Sequence, residues 1–185
     1  MDTTNDDGAT TLIGSGAFNQ FESALLDCVH DVNLLLPGLA ERYDMPVVIR
    51  ALAEHAGAAV QVLVRRQVCD TRRARLLIKH IEGTAFLRKV RGKAAKNKQA
   101  PRPVQVGKCA AEIRASLPAL VDRHTLLVVV SALTEHLGGA LFLSLEAHVF
   151  SPAQARAIIR RVEQIAFGDT KSETRTNGRP HSPPR

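Results

Sequence analysis

Two dipeptides combine residue types that could do chemistry, Glu54-His55 and Glu135-His136. Each sits in a near-identical stretch, "ALAEHAGAA" from Ala51 to Ala59 and "ALTEHLGGA" from Ala132 to Ala140. Glutamate and histidine are common zinc ligands. Adjacent residues on a helix, however, diverge by about 100°, so ligands from one helix need a separation of three or four positions. Those positions beyond His55 are Ala58 and Ala59, and beyond His136 they are Gly139 and Ala140. A metal centre would need His55 and His136 to meet from two helices. A phosphotransfer histidine is a second chemical reading, supported only by the lack of bulk at Gly57 and Gly138. No metal and no cofactor is expected, and the chain reads as non-enzymatic. A histidine-centred activity, phosphotransfer-like or metal-binding, is the alternative.

A structural role explains the motif more economically. Glycine costs about 1 kcal/mol relative to alanine inside a helix, so a helix that keeps one in mid-course must gain by it. Gly57, Ala58, Gly138 and Gly139 strip side chains from one face. The expectation is that the two motif helices cross there, with Glu54 facing His136 and Glu135 facing His55 in reciprocal pairs that satisfy their buried polar groups.

The elements that carry the motifs come from an internal repeat. At an offset of 81, 20 of the 59 residues from Cys28 to Phe86 recur without a gap. Cys28 falls on Cys109, Leu36-Pro37 on Leu117-Pro118, Arg42 on Arg123, Arg75 on Arg156 and Phe86 on Phe167. Each half reads as three helices. Phe18, Phe21, Leu25, Cys28, Val32, Leu35 and Leu39 form an amphipathic stripe matched by Val106, Cys109, Ile113, Leu117 and Leu120. Pro37 and Pro118 should kink or interrupt those helices. Asp70 is a helix cap, and Ser151-Pro152-Ala153-Gln154 has capping-box order. The fold class is therefore all-α, a bundle of about six helices in two tandem three-helix repeats. The expected organisation is a disordered tail over 1–16, a repeat over 17–86, a basic linker over 87–103, a second repeat over 104–167 and a disordered tail over 168–185.

A three-helix unit of roughly 65 residues buries only about 60% of its unfolded surface. The second-half middle helix is apolar almost all round, from Leu126 to Leu145, and two neighbours cannot cover it. The halves should thus share one core related by a pseudo-two-fold, as a fused homodimer would be. The expected state is a monomer with this pseudo-dimeric core, or a further homo-oligomer. Glu135 and His136 inside that stretch, and an acidic start from Met1 to Asp7, point away from a membrane and a secretory leader and towards the cytoplasm. Cys28, Cys69 and Cys109 read as small buried apolar residues.

The net charge is +7, and it is concentrated. Between Gly83 and Ala111 there is no acidic residue, while Arg88, Lys89, Arg91, Lys93, Lys96, Lys98, Arg102 and Lys108 are all basic. The first half adds Arg65, Arg66, Arg72, Arg73 and Arg75, of which the first four face Glu146, Ala147, Ala153 and Gln154 at the repeat offset. Such a region would hold nucleic acid, another polyanion or an acidic protein through charge alone. No zinc-finger or RNA-binding signature accompanies it, and with one Tyr and no Trp there is no stacking platform. The expected function is a non-enzymatic helical interaction or regulatory module.

Overall fold

A computed structural model describes residues 9–87 and 102–168, with residues 9–18 as backbone only. Among the described residues there are six helices and no strand: α1 Ala9–Arg42, α2 Met45–Arg65, α3 Thr71–Ala85, α4 Pro103–Arg123, α5 Leu126–Glu146 and α6 Pro152–Phe167. The start signals operate as capping chemistry requires. Asp70 Oδ1 accepts from the Arg73 backbone N–H at 2.7 Å. The Ser151 N–H donates to Gln154 Oε1 at 2.8 Å while the Gln154 N–H donates to Ser151 Oγ at 3.3 Å, a reciprocal box that satisfies two otherwise orphaned donors.

Helices α2 and α5 end alike. Gln67 and His148 both take a left-handed φ of 55°. The following N–H groups return to the last turn, Val68 to the Leu63 carbonyl at 3.0 Å and Val149 to the Ser144 carbonyl at 2.8 Å. This closure usually employs glycine.

Helix α1 begins at Ala9. Pro37 and Pro118 lie within continuous helices. Both stand close to the C-terminal ends, where the missing N–H disturbs only the last turns. Residues 88–101 of the basic linker and 169–185 of the C-terminal segment lie outside the described residues.

Packing crosses between the two halves of the sequence. Helix α2 lies mainly against α6 and α4, α5 mainly against α3 and α1, and α2 and α5 touch each other. Contacts of α2 with α1 or α3, its own neighbours in sequence, are slight. One apolar core results, and it draws Cys28, Ile49, Leu63 and Ile81 from the first half with Leu137, Leu141 and Val162 from the second. Each such aliphatic side chain contributes about 1.5–3 kcal/mol by leaving water.

Helices α2 and α5 are each 21 residues with windows of mean hydropathy 1.5 and 1.8, long and apolar enough to cross a membrane. In the bundle 61% and 50% of those windows is buried. The all-round burial expected of α5 is incomplete, since Leu143 is 66% exposed. It borders a groove between α1 and α5 that the neighbouring helices leave open.

Candidate functional site

The first candidate residues are the two Glu-His motifs, and the structure separates their roles. His55 is buried on α2, with Nδ1 3.1 Å from the Ala51 carbonyl one turn back. A carbonyl only accepts, so Nδ1 carries the proton and Nε2 presents a lone pair. That Nε2 is buried without a partner. Burial, with the Arg114 guanidinium acting in the same direction, pushes the His55 pKa below its ordinary value, against opposing effects of the Ala51 carbonyl and Glu54. The ring is therefore neutral at pH 7.

A pH dependence follows with a definite sign. A histidine whose folded pKa is lowered binds its proton more readily when unfolded, so its contribution to stability falls as pH drops through the unfolded value near 6.5. Thermal melts at pH 7.5 and pH 5.5 should show a smaller acid-induced loss for His55→Leu than for the wild type. An equal loss would mean that His55 does not carry this term.

His136 on α5 is partly exposed. Its Nδ1 lies 2.8 Å from the Ala132 carbonyl, and its Nε2 lies 3.0 Å from Asn33 Oδ1 on α1. With Nδ1 protonated, the second bond forms either from an imidazolium or to an Asn33 amide turned to offer its NH2. His136, Asn33 and Glu135 line one part of an otherwise apolar groove of about 720 Å³ between α1 and α5, together with Leu36, Val48, Leu143 and Val149. The groove exists where small side chains stand: Ser144, Ala147 and Ala40 line it, whereas Leu63, Arg66 and Val121 occupy the positions 81 residues away.

The reciprocal Glu-His pairing is corrected. Glu135 bonds His80 of α3, and Glu54 is exposed and lines a pocket with Arg50 and Arg161. The glycines do not mark a crossing of α2 with α5. A Cβ on Gly57 would stand 2.9 Å from Ile165 Cβ and 3.0 Å from the Val162 carbonyl of α6, and one on Gly138 would stand 2.8 Å from Thr84 Cβ of α3. Each glycine is a notch for the third helix of the opposite half. Ala58 is exposed, and a Cβ on Gly139 would meet nothing within 4 Å, so neither takes part. Helical spacing showed that a close approach was needed without showing which helix approaches.

Sequence reasoning missed two polar clusters that tie α1 to the second half. Asp31 Oδ2 accepts from Arg123 at 3.5 Å and lies 3.0 Å from His124 Nε2. Glu112 accepts from Arg42 at 2.5 Å and from the Tyr43 hydroxyl at 2.6 Å. The bond to His124 holds the Asp31 carboxyl below its usual range, and the bond from Tyr43 does the same for Glu112. Those carboxylates in turn face buried thiols. Burial first, and then Asp31 or Glu112, pushes Cys28 and Cys109 up to about 11, so both are protonated and inert at neutral pH. Cys69 is buried as well, which suits all three as apolar core residues.

The second candidate region is basic. Arg65 and Arg66 end α2, Arg72, Arg73 and Arg75 open α3, and all five are exposed. None forms an ion pair with another described residue. The expected linker partners Arg88, Lys89, Arg91, Lys93, Lys96 and Lys98 lie outside the described residues.

Alongside, α3 and α6 enclose a groove of about 370 Å³, lined by Arg75, Ile78, Lys79 and Glu82 from one helix and Arg156, Ile159, Arg160 and Glu163 from the other. Arg75 sits over the Phe167 ring, its guanidinium carbon 5.6 Å from the centroid, and Arg156 sits over Phe86 at 4.9 Å. The start of each helix thus meets the end of the other, and α3 and α6 run antiparallel. Lys79, Arg156, Arg160 and the two phenylalanines were not among the sequence candidates. Their signal was present, because Arg75 with Arg156 and Phe86 with Phe167 are identical residues 81 positions apart.

Among the described residues no group of three or more His, Cys, Asp or Glu side chains gathers as a metal site would. Comparison with known families, curated proteins and solved structures finds no match.

Proposed function

We propose that this chain is a non-enzymatic helical interaction module that binds a polyanion, nucleic acid first among them, through the Arg-rich turn from α2 to α3. The observation that carries this reading is that Arg65, Arg66, Arg72, Arg73 and Arg75 are all exposed and unpaired with described residues within one short turn and the helix it opens. Unneutralised guanidinium groups clustered in this way lower the free energy of phosphate contacts and carry no base preference. The linker, with Lys93, Lys96 and Lys98, would extend the same charge. Labelled mixed-sequence DNA and RNA test it by fluorescence anisotropy: binding that weakens and loses most of its salt dependence on replacing the five arginines by glutamine supports the reading, and binding whose affinity and salt dependence the replacement leaves unchanged removes it.

The scaffold we infer is a pseudo-two-fold fusion of two homologous halves. Support comes from contacts that recur in pairs 81 residues apart. The two glycine notches, the two arginine stacks, the Asp31 and Glu112 clusters and the left-handed Gln67 and His148 all obey this offset. In this reading α2 and α5 are the core helices of a soluble, cytoplasmic protein, with a protein or nucleic-acid partner and no membrane.

The groove beside His136 favours a second reading, a histidine-centred site. Zinc titration of the full chain by calorimetry discriminates. Binding lost in His136→Ala supports metal coordination there, and no binding by the wild type removes it.

A further inference from the structure

We propose that the groove between α1 and α5 receives a basic amphipathic helix of a partner protein. This face is separate from the arginine surface described above, since no Lys or Arg lines it, and it needs no metal on His136.

The groove exists because its helices leave apolar side chains uncovered. Val29 to Ala40 on α1 and Glu135 to Ala147 on α5 bound about three turns of each helix that contribute to the lining. Its edges are apolar groups in water: Leu143 is 66% exposed and Met45, at the start of α2, is 44% exposed. On α1 the same face continues to Leu26, one turn before Val29 and 69% exposed. Contiguous apolar surface inside a polar border marks an interaction site.

The lining selects a helix as the occupant. No strand edge exists among the described residues, so an extended peptide finds no backbone ladder to join. No aromatic side chain lines the groove, which removes the platform that polyproline segments use. Small residues, Gly139, Ala140, Ser144 and Ala147 on α5 with Ala40 on α1, leave space into which apolar side chains at helical spacing fit.

Charge at the border sets the sign of the partner. Glu41 follows Ala40 and stands one turn beyond Pro37, Asp44 precedes Met45, and Glu146 precedes Ala147 and stands one turn beyond Leu143, so each adjoins residues of the lining. All three are exposed, and none forms an ion pair with a described residue. Glu135 adds a fourth carboxylate, which it shares with His80. In a chain of net charge +7 this border is locally acidic. A helix with an apolar stripe flanked by lysines satisfies both features at once, its stripe in the groove and its ammonium groups beside the carboxylates.

A synthetic peptide tests this: a fluorescein-labelled helix former with leucine at i, i+4, i+7 and i+11 and with lysine and glutamine elsewhere, titrated with the full chain and read by fluorescence anisotropy. One peptide per chain is expected. Exchanging its lysines for glutamates should weaken binding roughly tenfold or more, and distributing its leucines round the helix should abolish binding. The first result has the opposite sign from attraction to the chain as a whole, whose net charge of +7 favours the glutamate peptide. Leu143→Gln, and Glu41→Gln combined with Glu146→Gln, should each weaken the lysine peptide roughly tenfold. All three positions are exposed, and unchanged circular dichroism melts establish that the variants are folded. The five-arginine glutamine variant should keep the peptide while its nucleic-acid affinity falls, which separates the two surfaces. The site is overturned by no binding of the lysine peptide, by the glutamate peptide binding equally well, or by Leu143→Gln leaving affinity unchanged. A dimer in analytical ultracentrifugation that Leu143→Gln dissociates would give the groove to a second copy, and flotation with phosphatidylcholine vesicles that Leu143→Gln abolishes would give it to a lipid surface; either result also overturns the proposal.

Discussion

Alanine at position 57 or 138 is expected to destabilise the protein by up to about 2 kcal/mol, although alanine is the better helix former. The intrinsic gain from removing a mid-helix glycine is about 1 kcal/mol. Against it stands overpacking, which typically costs about 1–3 kcal/mol or more where neighbours cannot yield. At Gly57 the neighbours include the Val162 backbone carbonyl at 3.0 Å as well as Ile165 Cβ at 2.9 Å. At Gly138 the nearest atom is Thr84 Cβ at 2.8 Å, which is fixed to its own helix. Neither is the movable end of a long side chain, so α6 or α3 must retreat as a unit.

Valine at either position should cost more than about 3 kcal/mol, since it adds branched bulk to the same clash. Gly139 is the internal control. It is helical, but a Cβ there meets nothing within 4 Å, so Gly139→Ala should stabilise by up to about 1 kcal/mol. In a thermal melt the first two alanine variants fall by a few degrees while the third rises. Because Gly57 faces α6 and Gly138 faces α3, the two losses should add. A rise in melting temperature for Gly57→Ala would show that the notches do not seat the opposing helices.

Those glycines also show how much of the molecule the chain discloses before folding. Periodicity and caps marked the helices, because a 3.6-residue repeat and an N-terminal acceptor are local properties. Asp70 and Ser151 could be read as caps for that reason. Mid-helix glycine announced a close approach, also a local inference. The identity of the approaching helix is a property of topology, and no local rule contains it. The expectation of α2 crossing α5 at the notches therefore gave way to α6 and α3.

The same limit applies to charge. Arg42 and Arg123 matched across the offset as letters, but their partners Glu112 and Asp31 come from the other half. Glu54 and Glu135 matched equally well, yet one is exposed and the other bonds His80. Identical letters 81 positions apart do not guarantee identical contacts, because the flanking residues differ. The α1–α5 groove illustrates the point. It opens where Ser144 and Ala147 replace the bulk of Leu63 and Arg66, a difference legible in sequence only once the fold has placed those residues on one surface.

The second large effect concerns nucleic acid and salt. If the five arginines of the α2–α3 turn each displace one counterion equivalent, the logarithm of the association constant falls with log salt at a slope of about −4.5. Raising salt from about 50 to 200 mM should then weaken binding roughly 500-fold. Linker lysines that also touch phosphate would steepen the slope by about 0.9 each. Replacing Arg72 and Arg73 alone should flatten it by about 1.8, and should do so equally on sequences of any composition, because phosphate contacts position without specifying.

Fluorescence anisotropy of labelled mixed-sequence DNA with the intact protein, across a salt series and beside the five-arginine glutamine variant, is the measurement that bears most directly on this account. A slope near −4.5 or steeper, flattened by at least 4 in the variant, is the predicted result. No binding at low salt, or a slope that the variant leaves unchanged, would contradict it.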